Sequence, residues 1–209
     1  TLFFVVDDGT NGEELWKSDG TALGTVLVKD IRTGYRSSSP TELTNFNDTL
    51  YFRADDGTNG SELWKSDGTL AGTGMVKDIN PGSNSGYPNS SSPDFLTIVN
   101  NTLYFKAYDG LNGSELWKSD GTSVGTVIVK DINSGSGNSN SQQFTNVNGV
   151  LYFHANDGTG PELWKSDGTA SGTVLVKDIR TGYVGGAPRE LTNMNGVLYF
   201  RADDGINGV

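Results

Sequence analysis

Apolar residues recur at alternate positions in short runs, and the runs themselves recur along the chain. In Leu50-Tyr51-Phe52-Arg53-Ala54, Leu50, Phe52 and Ala54 share one face, and Tyr51 and Arg53 share the other. In Glu62-Leu63-Trp64-Lys65-Ser66, Glu62, Trp64 and Ser66 face one way, and Leu63 and Lys65 the other. This period of two predicts strands, and no apolar pattern of period 3.6 reaches helical length. Both faces of each strand carry bulky groups. A sheet sandwiched between two neighbours requires that, whereas a sheet with one wet face does not.

The runs belong to a repeat. Glu-Leu-Trp-Lys-Ser-Asp-Gly-Thr occurs four times unchanged, from Glu14, Glu62, Glu115 and Glu162, with its Trp at 16, 64, 117 and 164. Upstream lies a Leu-Tyr-Phe-x-Ala segment, or a close variant, beginning at Leu2, Leu50, Leu103, Leu151 and Leu198. Downstream, Val-Lys-Asp-Ile ends at Ile31, Ile79, Ile132 and Ile179. A Gly/Ser/Pro-rich connector then leads to a Leu-Thr-Asn-like segment at Leu43, Leu96, Phe144 and Leu191. Each unit therefore predicts four short strands, here A (Leu-Thr-Asn), B (Leu-Tyr-Phe), C (Glu-Leu-Trp) and D (Val-Lys-Asp-Ile). Asn47-Asp48, Asn148-Gly149 and Asn195-Gly196 sit between A and B, as a tight hairpin prefers. Four antiparallel strands per repeat of this length is the period of a β-propeller blade. The expected fold is an all-β, propeller-type array: B-C-D in residues 1–40, full units over 41–93, 94–141 and 142–188, and a partial A-B unit over 189–209. This strand count closes no ring. The expectation is a segment of a longer repeat protein, or a chain whose loose B strand pairs with another copy.

These motifs resemble the bacterial ELWxxDGT repeat family over almost the whole chain. The resemblance implies propeller-like repeats in large secreted or cell-surface proteins, and it supplies no catalytic residues.

Composition narrows the classes of function. Cys is absent and His154 is the single histidine, which excludes disulfides, thiol catalysis and multi-His metal sites. Net charge is −10, against nucleic-acid binding through phosphate contacts. No apolar run approaches the length of a membrane span. Glycine, at 29 residues, belongs to the repeated turns.

Five residue sets carry candidate chemistry. The B–C turns place Asp8, Asn11 and Glu14; Asp56, Asn59 and Glu62; and Asp109, Asn112 and Glu115 in Gly-rich loops. Oxygen donors of this kind suit Ca²⁺, but the spacing is not that of an EF-hand, and Asx turns explain the same residues. Asp19, Asp67, Asp120 and Asp167 of the Ser-Asp-Gly-Thr turns are expected to accept turn N–H groups, as in the Asp-box hairpins of sialidase-like propellers that they resemble. Trp16, Trp64, Trp117 and Trp164 could stack sugars, but recurrence at one strand position points to packing between sheets. Tyr35, Tyr87 and Tyr183 stand in variable connectors of recognition-like composition, candidates for ligand binding. His154 replaces the Arg or Lys of other B strands and is expected to partner carboxylates.

These readings favour a non-catalytic extracellular scaffold or adhesion module, assembling with other copies or further repeats. A carbohydrate-binding propeller, with glycans held in connectors or between blades, is the alternative. An enzyme ranks last, because every candidate catalytic group is repeated and no asymmetric cluster stands out.

Overall fold

The computed structural model describes residues 1–209 and contains strands, turns and bends without helix. No helix is long and apolar enough to cross a membrane. The strands are β1 (Leu2–Asp7), β2 (Glu13–Ser18), β3 (Val26–Lys29), β4 (Thr41–Phe46), β5 (Thr49–Asp55), β6 (Ser61–Ser66), β7 (Gly74–Lys77), β8 (Ser83–Asn84), β9 (Tyr87–Pro88) and β10 (Asp94–Val99). They continue as β11 (Thr102–Tyr108), β12 (Ser114–Ser119), β13 (Val127–Lys130), β14 (Gln142–Val147), β15 (Val150–Asn156), β16 (Pro161–Ser166), β17 (Val174–Lys177), β18 (Arg189–Met194) and β19 (Val197–Arg201). They pair in sequence order into antiparallel sheets: β1-β2-β3, β4-β5-β6-β7, β10-β11-β12-β13, β14-β15-β16-β17 and β18-β19.

Two features depart from the strand pattern read in the sequence. A small hairpin, β8-β9, lies inside the connector that was expected to be irregular. The D strands also stop at the lysine, so Asp30-Ile31 and its counterparts lie outside the ladder. The reason is a competing acceptor, since the Ile31 N–H donates to Glu14 Oε2 at 3.0 Å instead of to a strand.

The A–B hairpins turn on pairs of residues with positive φ: Asn47-Asp48 (50°, 60°), Asn100-Asn101 (47°, 60°), Asn148-Gly149 (52°, 80°) and Asn195-Gly196 (54°, 84°). Two successive left-handed residues define a type I′ turn, whose twist matches that of its strands.

Contacts divide the chain into two compact units, Thr1–Asp94 and Phe95–Val209. Each has its own core, and the two cores use the same positions. In the first, Leu15, Val28 and Ile31 of one sheet pack with Leu50, Phe52, Ala54 and Trp64 of the next. In the second, Leu116, Val129 and Ile132 pack with Leu151, Phe153, Ala155 and Trp164. This interleaving is the reason for apolar residues on both strand faces: the Leu of Glu-Leu-Trp faces the following sheet, and the Trp faces the preceding one. Phe52↔Trp64 and Phe153↔Trp164 are also directly opposed cross-strand pairs. Lysines edge each core. Lys17 Nζ donates to Gly68 O at 2.7 Å and Lys29 Nζ to Thr73 O at 2.8 Å. In the second unit, Lys118 and Lys130 donate to Gly168 O and Thr173 O, both at 2.8 Å.

The second glycine of each B–C turn is where the connector crosses. Gly113 has φ +75°, and a Cβ there would lie 1.8 Å from Gly137 O. Backbone cannot retreat as a side chain can, and the φ disfavours any L residue. Gly113→Ala is expected to destabilise the protein by about 2 kcal/mol. Chemical unfolding should show it, with Gly135→Ala, where a Cβ meets nothing, losing less.

Candidate functional site

The repeated polar residues fall into three structural sets. The first is the Ser-Asp-Gly-Thr turn. Asp19 Oδ1 accepts from the Thr21 N–H at 2.9 Å and the Thr21 hydroxyl at 2.8 Å. Asp67, Asp120 and Asp167 accept from Thr69, Thr122 and Thr169 in the same way, at 2.7–2.8 Å. Donation from the Thr hydroxyls, then from the Thr N–H groups, holds Asp19, Asp67 and Asp167 below the usual carboxylate range. Ser18 Oγ bonds Thr25 Oγ1 at 2.8 Å, joining the two ends of the loop.

The second set is the B–C turn. Asp8 Oδ1 accepts from the N–H groups of Thr10 and Asn11, and Oδ2 accepts from Asn11 Nδ2, all at 2.8 Å. Asp56 with Asn59, and Asp109 with Asn112, repeat the arrangement. The N–H of Asn11, with Thr10, holds Asp8 low. Partial burial opposes this at Asp56 and Asp109, yet donation from Asn59 and Asn112 keeps both low as well.

The third set is the glutamate of strand C, and here the expected oxygen cluster comes apart. Glu14, Glu62 and Glu115 are fully buried and point away from the turn to close the connector. Glu62 accepts from the Ile79 N–H at 3.1 Å, the Ser91 N–H at 2.8 Å and the Ser91 hydroxyl. Glu14 takes Ile31, Arg32 and Ser38, and Glu115 takes Ile132 and Ser139. Glu162 takes Ile179, Arg180 and Gly186, so the fourth repeat closes its connector with backbone donors alone. Thus Asp8 and Asn11, Asp56 and Asn59, and Asp109 and Asn112 are brought together, while Glu14, Glu62 and Glu115 serve different partners. No group of three or more acidic or histidine side chains converges to hold a metal. The physical reason is that the glutamate follows the alternation of strand C inward, where orphan connector N–H groups need an acceptor. Thermal unfolding in excess Ca²⁺ and in chelator is expected to give one midpoint. A rise of several degrees with Ca²⁺ would reassign the turn oxygens as ligands.

Burial dominates the glutamate electrostatics. It raises Glu14 above the normal carboxyl range, and raises Glu62 and Glu115 to about 7 against the pull of their donors.

Trp64, Trp117 and Trp164 are buried and Trp16 is partly so. Lys29 Nζ lies 5.8 Å from the Trp64 ring centroid and Lys130 Nζ 5.7 Å from that of Trp164, covering one face of each ring. Tyr35, Tyr87 and Tyr183 are 80%, 76% and 88% exposed. They stand on three different connectors, Tyr87 within β9.

One concave site departs from the repeat. It lies in the second unit, has a volume of about 430 Å³, and is lined by Lys106, Asn140, Gln142, His154, Asn156 and Arg189 among others. His154 is buried, with Nδ1 3.1 Å from Pro188 O. It bonds a carbonyl, where the sequence suggested a carboxylate partner. The single histidine was the one signal in the sequence that pointed here.

Comparison with known proteins adds no relative: no family model matches the chain, and no curated protein matches it.

Proposed function

We propose that the chain is a non-catalytic, extracellular repeat scaffold of the ELWxxDGT type, a propeller-type array of blades that assembles with further repeats. The observation that carries this reading is the employment of the repeated polar side chains. The aspartates tie their own turns, the glutamates close their own connectors, and the lysines reach to the adjacent sheet. A repeat built this way stabilises itself and its neighbour, the economy of an array. Secreted or surface placement rests on the family resemblance.

Assembly is supported by faces that are covered inside each unit and uncovered at the ends. Tyr199 and Met194 are each 52% exposed, whereas their counterparts Tyr104 and Val147 are 4% and 6% exposed. Leu2 is 65% exposed against 0% for its counterpart Leu151. These two faces are opposite sides of one repeating interface, which further repeats, in a longer chain or in a second copy, would cover. Such a contact is heterologous and continues into an open array. Light scattering on eluting protein is expected to show a mass above 22.3 kDa that grows with loading. Tyr199→Lys should return it to the monomer. A constant monomer mass for the parent chain would refute the proposal.

A further inference from the structure

The cleft of the second unit is where several repeat positions change together. The position two residues after the basic slot of strand B is Asp7, Asp55 and Asp203 in three repeats, Tyr108 in another and Asn156 beside this cleft. Asp55 and Asp203 are each held by an arginine, Arg32 at 2.9 Å and Arg180 at 2.5 Å. Beside the cleft both partners are exchanged, Asn133 for the arginine and Asn156 for the aspartate, and Asn156 Oδ1 caps the N–H groups of Gly158 and Gly160. The first position of strand A holds Thr41, Asp94 and Gln142 in three repeats, but Arg189 in the fifth. The basic slot of strand B, filled by Arg53, Lys106 and Arg201, holds His154. The paired exchange at Asn133 and Asn156 is neutral, whereas Arg189 adds a guanidinium within a protein of net charge −10, to a cleft that no Asp or Glu lines.

The two altered bases offer different chemistry. Arg189 is exposed and enters no ion pair, whereas Arg180 and Arg201 are paired with Asp203 and Glu190. His154 is held by its carbonyl partner. Pro188 O can only accept, so Nδ1 carries the proton and Nε2 presents a lone pair, with no protein group bonded to it. Burial holds the imidazole below its ordinary value, which keeps it neutral at pH 7. Lys106 stands over the Phe95 ring at 4.9 Å and Gln142 lies on β14, adding a cation and an amide to the wall.

We propose that this cleft binds an acidic sugar, a uronate, with its carboxylate on Arg189 and a ring hydroxyl donating to His154 Nε2. A guanidinium selects a planar carboxylate. A neutral imidazole acceptor and amides select hydroxyls, and the volume falls in the range of small-ligand sites, about 300–1,000 Å³. The site goes beyond the scaffold role and does not depend on it.

Calorimetric titration of the intact chain with glucuronate, glucose and acetate tests the assignment. Saturable binding of glucuronate is expected, at least tenfold tighter than glucose or acetate. Arg189→Gln is expected to weaken glucuronate at least tenfold and leave the thermal midpoint unchanged, while Arg201→Gln binds as the parent does. His154→Phe should lose affinity, and His154→Gln, which restores an acceptor, should recover part of it. No saturable binding, equal affinity for acetate, or an unaffected Arg189→Gln would overturn the proposal.

Discussion

Glu62→Ala is expected to lower the unfolding free energy by about 4 kcal/mol, the largest loss for any single side chain of the repeat. The substitution removes the acceptor for the Ile79 N–H, the Ser91 N–H and the Ser91 hydroxyl, all buried. A buried donor left without a partner costs about 1–3 kcal/mol, and a cavity adds to that. The connector from Ile79 to Ser91 would lose its anchor, so the transition should also broaden. Glu62→Gln keeps one amide oxygen as an acceptor and should lose about half as much. Urea unfolding of both variants decides the matter, and a loss under about 1 kcal/mol for Glu62→Ala would show that the connector is held by something else.

The second large effect is a fall in stability as the pH rises from about 4.5 to 7. In the folded chain Glu62 and Glu115 hold their protons up to about 7, against 4.5 for an unperturbed glutamate. Over that interval the folded state binds more protons than the unfolded one. The contribution is complete below the unfolded value and is lost as the pH passes through the folded one. Each of these glutamates contributes about 3 kcal/mol on this reckoning. The turn aspartates act at the other end. Asp8, Asp19, Asp56 and their lowered counterparts stabilise the fold above their unfolded value of 3.8 and lose that effect as the pH falls through their folded values. The thermal midpoint should therefore peak near pH 5. A double variant, Glu62→Gln with Glu115→Gln, should flatten the neutral side of the curve and leave the acid side in place. A midpoint that rises between pH 5 and 7 would contradict the assignment.

What the sequence disclosed followed the range of the interactions. The Asp19 turn was legible because its partner, Thr21, is two residues away inside the same motif. The A–B hairpins were legible because Asn and Gly tolerate the left-handed backbone that a type I′ turn imposes. The strands were legible from the alternation of residues such as Leu50, Phe52 and Ala54. Glu62 was not, because its acceptor role is defined by donors 17 and 29 residues on, the second of them in the most variable part of the repeat. Read locally, it belonged with Asp56 and Asn59. The short D strands have the same origin, since the Ile79 N–H leaves the ladder for that carboxylate. The cleft was still less visible. Lys106, His154 and Arg189 come from three repeats, and their proximity exists only once the sheets of the second unit have packed.

The packing faces gain their meaning from the same comparison. Tyr104 and Tyr199 occupy equivalent positions in near-identical segments, yet one is buried and the other half exposed. The side chain is the same and only the covering sheet differs. Amide hydrogen exchange of β18 and β19, followed from dilute to concentrated protein, tests the scaffold reading most directly. Stacking of a second copy should slow exchange over Leu191–Phe200 as concentration rises, with Tyr199→Lys abolishing the protection. Exchange there that is the same at every concentration would contradict assembly through this face.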